Sequence, residues 1–596
     1  MIARIRIILA FILTVFLLFT ARLMYLQFIR GEQFQQLSEN NFLEERRIPP
    51  LRGRILARDG TVLADNRIVV DLMYWGGDIE HWERISYMLG IDEDPIAPDP
   101  EDSRERAQGR VLMWGVDDSL IPALNELIAG QRSLYLRQRI ERRYLHSFAA
   151  HVVGHTTEAD PQRFPGHELG DLVGLRGIEA GFQEKLFGTP GARIVGLNNR
   201  RSVISSRETE APQPGQDIVL TIDPRLQEAA ERTLANALVY VNRDRRNKGL
   251  PLEEHVSGAI VAIDPRNGEI LALASYPSYD PNIFTRRPSS PEDISRVLSD
   301  YARLPMMNRA VEAYPPASTF KLVSSWALLE DGFIAPNSRY LCSASFDFLG
   351  IRMRNWAGYT RGNYNVLEAI ADSCNTFYWR AAAATPNANV GWAPFVRGLT
   401  ERAQSLGFGA RLDIGLLEEK PGLVPTDDYS REVRGFPWRP GDTLNLSIGQ
   451  GDMLATPLQV TYLAAIIAMN GYAAQPHLVR SIGDEPLGTT SREVPGRFWG
   501  TVRDGMRMMM THYGARSTLG PNVFPVATAG KTGTAQNAQG TGYEHAWFMG
   551  YGPLDNPELA VTVFIENGGS STAVAIPVAR DFMAEFWGHY QFVQRP

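Results

Sequence analysis

Ser318 stands three residues before Lys321, just after the pair Pro315-Pro316 and at the head of a long apolar run. Side chains at i and i+3 share a helical face, so the amine can reach the hydroxyl. A serine at a helix N-terminus also sits among free backbone N–H groups and the positive dipole end, which favour a developing oxyanion. This is the chemistry of a serine nucleophile with a lysine base, provided that the amine is neutral. Burial and a second nearby cation both push it that way. Alone, the pair is a weak signal and reads better as an ordinary helix start. Two more groups bear on it. Ser373 and Asn375 place a hydroxyl and an amide two residues apart on a loop, where both can converge on one pocket. Lys531-Thr532-Gly533-Thr534 reads as a strand in which Lys531 offers a fixed positive charge. Gly533 there allows close backbone approach by a substrate.

These groups need elements to hold them. The prolines disfavour helix ahead of Ser318, and the run from Ser318 predicts a helix ending near Gly332. Asp223 with Pro224 predicts another helix start. Residues 258–275 predict two apolar strands joined by a turn around Pro265–Gly268, and "AWFMGYG" and "LAVTVFIENG" predict strands near the end of the chain. Strands at both ends of a mostly helical middle point to an α+β domain, an antiparallel sheet flanked by helices. Earlier in the chain, Asp59-Gly60 predicts a β-hairpin. A polar, helix-prone region runs from there to about Tyr144. Residues 172–200 predict a short helix, a Gly-Thr-Pro-Gly turn and a strand. The polar stretch Ser206–Gln216 predicts a linker.

The 596 residues exceed one core, and 44% hydrophobic with 21% charged content is ordinary for a folded chain. A net charge of −7 argues against a general nucleic-acid binder. Two cysteines, Cys342 and Cys374, exclude a disulfide framework and any four-cysteine metal site. One disulfide between them stays open, and Cys374 reads as a small buried residue, since nothing marks its thiol as activated. From Ile7 to Ile29 the chain is apolar with one arginine near the far end, long enough to cross a bilayer. The run exceeds the apolar region of a signal peptide and shows no obvious cleavage site, so it predicts an uncleaved single-pass anchor. Arg4 and Arg6 ahead of it favour a cytoplasmic N-terminus.

The ordered set Ser-x-x-Lys, Ser-x-Asn, Lys-Thr-Gly is the signature of class A β-lactamases and penicillin-binding proteins. Nearly the whole chain resembles a class B penicillin-binding protein of the elongation type, the penicillin-binding protein 2 type. "RGRILARDGTVLADN", "GLRGIEAGFQEKLFGTPG", "LTIDPRLQEAAE", "YPPASTFK", "LNLSIGQGDMLATPLQVTYLAAIIAMNG" and "AGKTGTAQ" followed by "HAWFMGYGP" carry the resemblance. "HAWF" and "ENGG" favour the elongation type over its division relative. One departure is Ala57, where family members often have Asp. The resemblance implies an α+β fold with a cytoplasmic tail (1–6), a transmembrane anchor (7–29), an elongated α/β pedestal of the dimerisation type (30–215) and a penicillin-binding transpeptidase domain (216–596).

It further implies that Ser318 attacks the carbonyl between the two D-alanines of a peptidoglycan stem peptide. Lys321 takes its proton, Ser373 passes a proton to the departing amine, and Asn375 holds the stem-peptide amide and the lysine. Lys531 and Thr532 hold the terminal carboxylate, Gly533 belongs to the substrate-binding strand, and the backbone N–H groups of Ser318 and Thr534 form the oxyanion hole. β-Lactams would acylate Ser318. A SEDS-family glycosyltransferase is the implied partner, through anchor and pedestal, and no cofactor is implied. Some elongation-type members bind zinc, but no convincing ligand set assembles around Cys342 and Asp347, so no metal is expected. A packing role is expected for His545, whereas Trp356 and Tyr359 read equally well as cleft or surface residues. The alternatives are a hydrolase of the D,D-carboxypeptidase or β-lactamase type, and a β-lactam-binding sensor or idle scaffold. A hydrolase needs neither pedestal nor anchor. A sensor needs a signalling module, and an idle scaffold should have lost a motif residue.

Overall fold

The computed structural model describes residues 2–26, 30, 43–102, 105, 108–197, 203–537, 540 and 542–593. They form two compact units that interleave along the chain. One comprises Met1–Arg52, Ile68–Ile140 and Phe187–Gly215, the other Gly53–Arg67, Glu141–Leu186 and Gln216–Pro596.

The first unit begins with the helix Ile2–Met24, of which Ile5–Met24 is long and apolar enough to cross a membrane. Residues 27–29, the end of the expected span, lie outside the described residues. Strands Leu43–Ile48, Gly191–Leu197 and Val203–Glu210 form an antiparallel sheet with the second in the middle. The expected linker from Ser206 is therefore strand as far as Glu210. Backbone pairing with the neighbouring strand overrides its polar composition there. The expected strand at 172–200 ends at Leu197, its last three residues lying outside the described ones. The region before Tyr144 also departs from expectation. It holds two short helices, Trp82–Leu89 and Ile121–Ile128, but also strands Arg110–Met113 and Leu134–Tyr144. The latter pairs with the strand Val62–Tyr74. Leu134 and Leu136 alternate with polar neighbours at strand period and pack on a core of Leu72, Ile85, Leu124 and Ile128.

In the second unit the expected hairpin is present. Ile55 pairs with Ala64 across the Asp59-Gly60 turn, where Gly60 has φ +88°. Ala57 is fully buried and donates its N–H to Thr61 O at 2.8 Å. The main sheet consists of β1 (Ser257–Ile263), β2 (Ile270–Tyr276), β3 (Ala529–Ala535), β4 (His545–Gly552) and β5 (Leu559–Glu566). It is antiparallel, in the order β2-β1-β5-β4-β3, so β3 is an edge strand. Its helices include α1 (Pro224–Asn236), α2 (Lys321–Glu330), α3 (Asn375–Ala383), α4 (Pro457–Ala468) and α5 (Ala575–Val593).

Both faces of this sheet are covered, so its central strands are apolar throughout rather than alternating. Ala259, Val261 and Trp547 join one core with Leu322, Trp326 and Leu463, on the face of α2 and α4. Ile260, Ala262 and Phe548 join a second core with Leu226, Leu234 and Phe582, on the face of α1 and α5. As expected, Asp223 caps α1, its side chain accepting from the N–H groups of Arg225 and Leu226. Helix α4 is buried at every position and starts with a Thr456–Gln459 capping box. It packs against β5, β1 and β4.

Candidate active site

A short 3-10 turn, Ala317–Thr319, leads into α2, as the proline pair predicts. Ala317 has φ +51°, a conformation that costs an ordinary residue roughly 1–2 kcal/mol. It is held there from a distant segment: its N–H donates to Gly449 O at 2.9 Å. A Cβ on Gly449 would lie 2.2 Å from Ala317 O and 2.6 Å from Phe320 Cβ, so only glycine allows this approach. Thr319 Oγ1 donates to Pro316 O at 2.7 Å and closes the turn. Edge strand β3 runs alongside. A Cβ on Gly533 would meet Pro316 O at 3.0 Å and Thr319 Cγ2 at 3.1 Å. The close backbone approach expected for a substrate is thus also one that lets β3 sit against the serine turn.

Lys321 and Lys531 are both fully buried. Lys321 Nζ lies 2.7 Å from Ser373 O, 2.5 Å from Asn375 Oδ1 and 3.2 Å from Ser373 Oγ. Lys531 Nζ donates to the same Ser373 Oγ at 2.9 Å and to Thr532 O at 2.7 Å. One hydroxyl therefore bridges two amines. Burial drives the Lys321 amine well below its ordinary value, the charge of Lys531 adds to this, and Asp372 opposes it. Burial lowers Lys531 to about 7, again against Asp372. Asp372 is itself held by an ion pair with Arg361 and by Tyr364 Oη, which donates at 2.8 Å. A neutral Lys321 can donate to Ser373 O and Asn375 Oδ1 and keep its lone pair for a hydroxyl proton.

Ser318, Ser373, Asn375, Thr532 and Thr534 line a single cleft of ≈ 1170 Å³. Lys321, Lys531 and Gly533 stand behind this lining. The three sequence groups thus meet in one place, from α2, the loop before α3, and β3. Ser373, like Ala317, has positive φ, +57°. Thr534 Oγ1 lies 2.9 Å from Ser571 Oγ at the far wall. His545 packs as expected: its ring lies 5.8 Å from that of Tyr314 and 5.5 Å from that of Phe564, and Nδ1 accepts from Asn567 N–H at 3.1 Å. Trp356 lines the cleft with its ring exposed, and the Arg361 guanidinium lies 5.2 Å from that ring and 5.5 Å from Tyr359.

Cys342 and Cys374 form a disulfide, the pairing that composition left open. Both are fully buried, so Cys374 is buried as expected but is not a separate thiol. Asp347 is exposed and lies 3.5 Å from Arg352. Among the described residues, no group of three or more His, Cys, Asp or Glu side chains is gathered as for a metal ion. Sequence reasoning missed Gly449, Asp372 and Asn355, a buried amide beside the disulfide. Gly449 alone left a trace, as a glycine in the "SIGQG" run.

The model of the penicillin-binding protein transpeptidase domain matches residues 258–584, and that of the penicillin-binding protein dimerisation domain matches residues 47–220. The peptidoglycan D,D-transpeptidase MrdA of Haemophilus influenzae is 30% identical, aligned over 94% of this chain and 87% of its own. Its counterpart in Escherichia coli K12 is 28% identical over 93% of this chain and 89% of its own. A chain solved in a study of how a peptidoglycan synthase complex coordinates polymerization and crosslinking is 44% identical. It superposes with a TM-score of 0.79 over 98% of each chain. The penicillin-binding protein 2 of Pseudomonas aeruginosa, solved with WCK 5153, is 28% identical, with a TM-score of 0.67 over 92% of this chain and 98% of its own. On these matches, and on a cleft that unites its three sequence groups, the chain belongs to the penicillin-binding protein transpeptidase family.

Proposed function

We propose that this chain is a membrane-anchored peptidoglycan D,D-transpeptidase of cell-wall elongation, acting through an acyl ester on Ser318. The observation that carries the reading is the Ser373 hydroxyl held between two buried amines, beside Ser318 in one cleft. Lys321, kept neutral by burial and by Lys531, takes the Ser318 proton as Oγ attacks the carbonyl between the two D-alanines. The oxyanion is met by the backbone N–H groups of Ser318 and Thr534, each contributing about 3 kcal/mol in acyl transfer of this kind. Ser373 relays a proton to the departing D-Ala amine, and the C–N bond breaks to leave the ester. Asn375 holds the stem-peptide amide and orients Lys321, while Lys531 and Thr532 take the terminal carboxylate. Edge strand β3, with Gly533 and Thr534, offers one side for an extended peptide to add along. An amine of a neighbouring stem peptide then attacks the ester, closing the cross-link and freeing Ser318. A β-lactam enters as a mimic of the D-Ala-D-Ala end and stays as a stable ester.

The anchor leaves the N-terminus in the cytoplasm and the catalytic unit on the outer side of the cell membrane, in keeping with Arg4 and Arg6 ahead of the apolar run that starts at Ile7. Residues 30–215 serve as the non-catalytic pedestal and 216–596 as the transpeptidase domain, with 53–67 and 141–186 folded into the same compact unit as the latter. The partner is a SEDS-family glycosyltransferase of the membrane. The relative solved in a study of a synthase complex that couples polymerization with crosslinking supports this choice. Labelling with a fluorescent penicillin tests the assignment: the wild-type chain labels and Ser318→Ala does not. Equal labelling of both would reject it.

A further inference from the structure

Ser373 and Asn375 sit on a turn whose local ties are two backbone hydrogen bonds, from Ser373 N–H to Ile370 O at 3.3 Å and from Cys374 N–H to Ala369 O at 3.1 Å. Ser373 has φ +57°, where a serine is strained, and the N-cap of α3, Cys374, makes no side-chain cap. Further support comes from elsewhere in sequence. Asn355 is buried, and its Oδ1 accepts from the Asn375 N–H at 3.2 Å, capping α3 from outside the helix. Its Nδ2 donates to Ser343 O at 3.2 Å and lies 3.6 Å from Cys342 Sγ and 3.9 Å from Cys374 Sγ. Thr376 Oγ1 accepts from Ser343 N–H at 3.0 Å and lies 3.2 Å from Ser343 O. The disulfide ties the same two segments covalently, with one of its sulfurs on the residue between Ser373 and Asn375.

We propose that the Cys342–Cys374 disulfide and Asn355 form a clamp that positions Ser373 Oγ and Asn375 Oδ1 on Lys321, and so sets the rate of the covalent step. These three are positioning residues: they act through the turn between them. Without the clamp the turn relaxes toward negative φ and draws the hydroxyl off the two amines. The inference rests on the assignment of Ser373 and Asn375 to the reaction. A disulfide suits the oxidising side of the membrane, where that assignment places the unit.

The test follows acylation of the full-length, detergent-solubilised chain by a fluorescent penicillin, separating the initial binding constant from the acylation rate constant. Compared are the wild type, Cys342→Ala/Cys374→Ala, Asn355→Ala and Asn355→Asp, with thermal melts recorded alongside. The acylation rate constant falls on the order of 10- to 100-fold in the cysteine-free and Asn355→Ala chains, as expected for a displaced catalytic group, while initial binding holds. Asn355→Asp keeps an acceptor for the Asn375 N–H and recovers most of the rate. Where a substitution prevents folding, dithiothreitol gives the comparison without one. The dithiol reduces the disulfide to two thiols and closes to its own cyclic disulfide, with thiols counted and acylation followed in one sample. A folded clamp variant, or reduced chain, that acylates within about twofold of the wild type overturns the proposal, even if its melting temperature drops. A wild type that does not label at all overturns the functional reading instead.

Discussion

Two sites, one in each unit, bury charge in opposite ways. In the first, the Asp71 carboxylate is wholly inaccessible and answered by two cations, Arg137 at 2.9 Å and Arg139 at 3.1 Å, with Gly115 N–H donating at 3.0 Å. In the second, two amines of the same sign, Lys321 and Lys531, share one serine hydroxyl and are otherwise met by carbonyl and amide oxygens. A buried charge that is paired holds a fold in one arrangement. Two buried amines with only neutral first partners are both pushed below their ordinary range by burial, and Lys531 pushes Lys321 further, which is worth keeping only where a proton must move. Removing a charge should therefore have opposite consequences in the two places.

The largest effect is expected on rate. Lys321→Met lowers fluorescent-penicillin acylation by about 10³-fold, the scale of a lost general base. Its melting temperature holds or rises, because a buried amine without a carboxylate gives way to an apolar chain. A melt that collapses with the rate would show the amine to be structural and end the contrast. Next, Asp71→Ala costs about 3 kcal/mol in denaturant unfolding, since it takes the shared buried carboxylate from two partly buried arginines, and leaves acylation by folded chains unchanged. A rate loss there would break the comparison from the other side. Opening the disulfide, whose ends are 32 residues apart, costs about 3–4 kcal/mol by loop closure.

The pH dependence sharpens the comparison further. Lys531 titrates at about 7 in the folded chain and near 10.4 unfolded. Between those values the unfolded state binds the extra proton, so stability rises with pH across the window and is least below pH 7. Unfolding midpoints of wild type minus Lys531→Met should show that rise, and a flat difference would remove the buried-amine account. Over the same window Lys531 loses its charge, so initial penicillin binding weakens as the pH goes from 7 to 9. The smallest effect is expected at Trp356, which is exposed: Trp356→Ala shifts stability by no more than about 0.5 kcal/mol.

Much of the site was legible because its parts announce themselves locally. Pro315-Pro316 ahead of Ser318 marks a helix start, the Lys531 segment reads as a strand, and the apolar runs of β1, β2, β4 and β5 read as buried strands. The misreadings share one cause. Leu134–Tyr144 and Val203–Glu210 are polar enough to read as helix-prone or linker, and only pairing with another strand makes them sheet. The close approach at Gly533 was read as serving a substrate, and it also serves the Pro316–Thr319 turn.

By itself the sequence determined which side chains are the candidates for the chemistry, their order, the class of fold that holds them and the apolar helix at the N-terminus. Those properties follow from residue type and short-range spacing. The tertiary structure alone decided that Cys342 meets Cys374, that Asn355 caps a helix it does not belong to, and that Gly449 holds Ala317 at positive φ. It also decided that Lys321 and Lys531 meet on one hydroxyl. Each is a contact between segments far apart in the chain, and no local pattern encodes the distance at which two such segments come to rest.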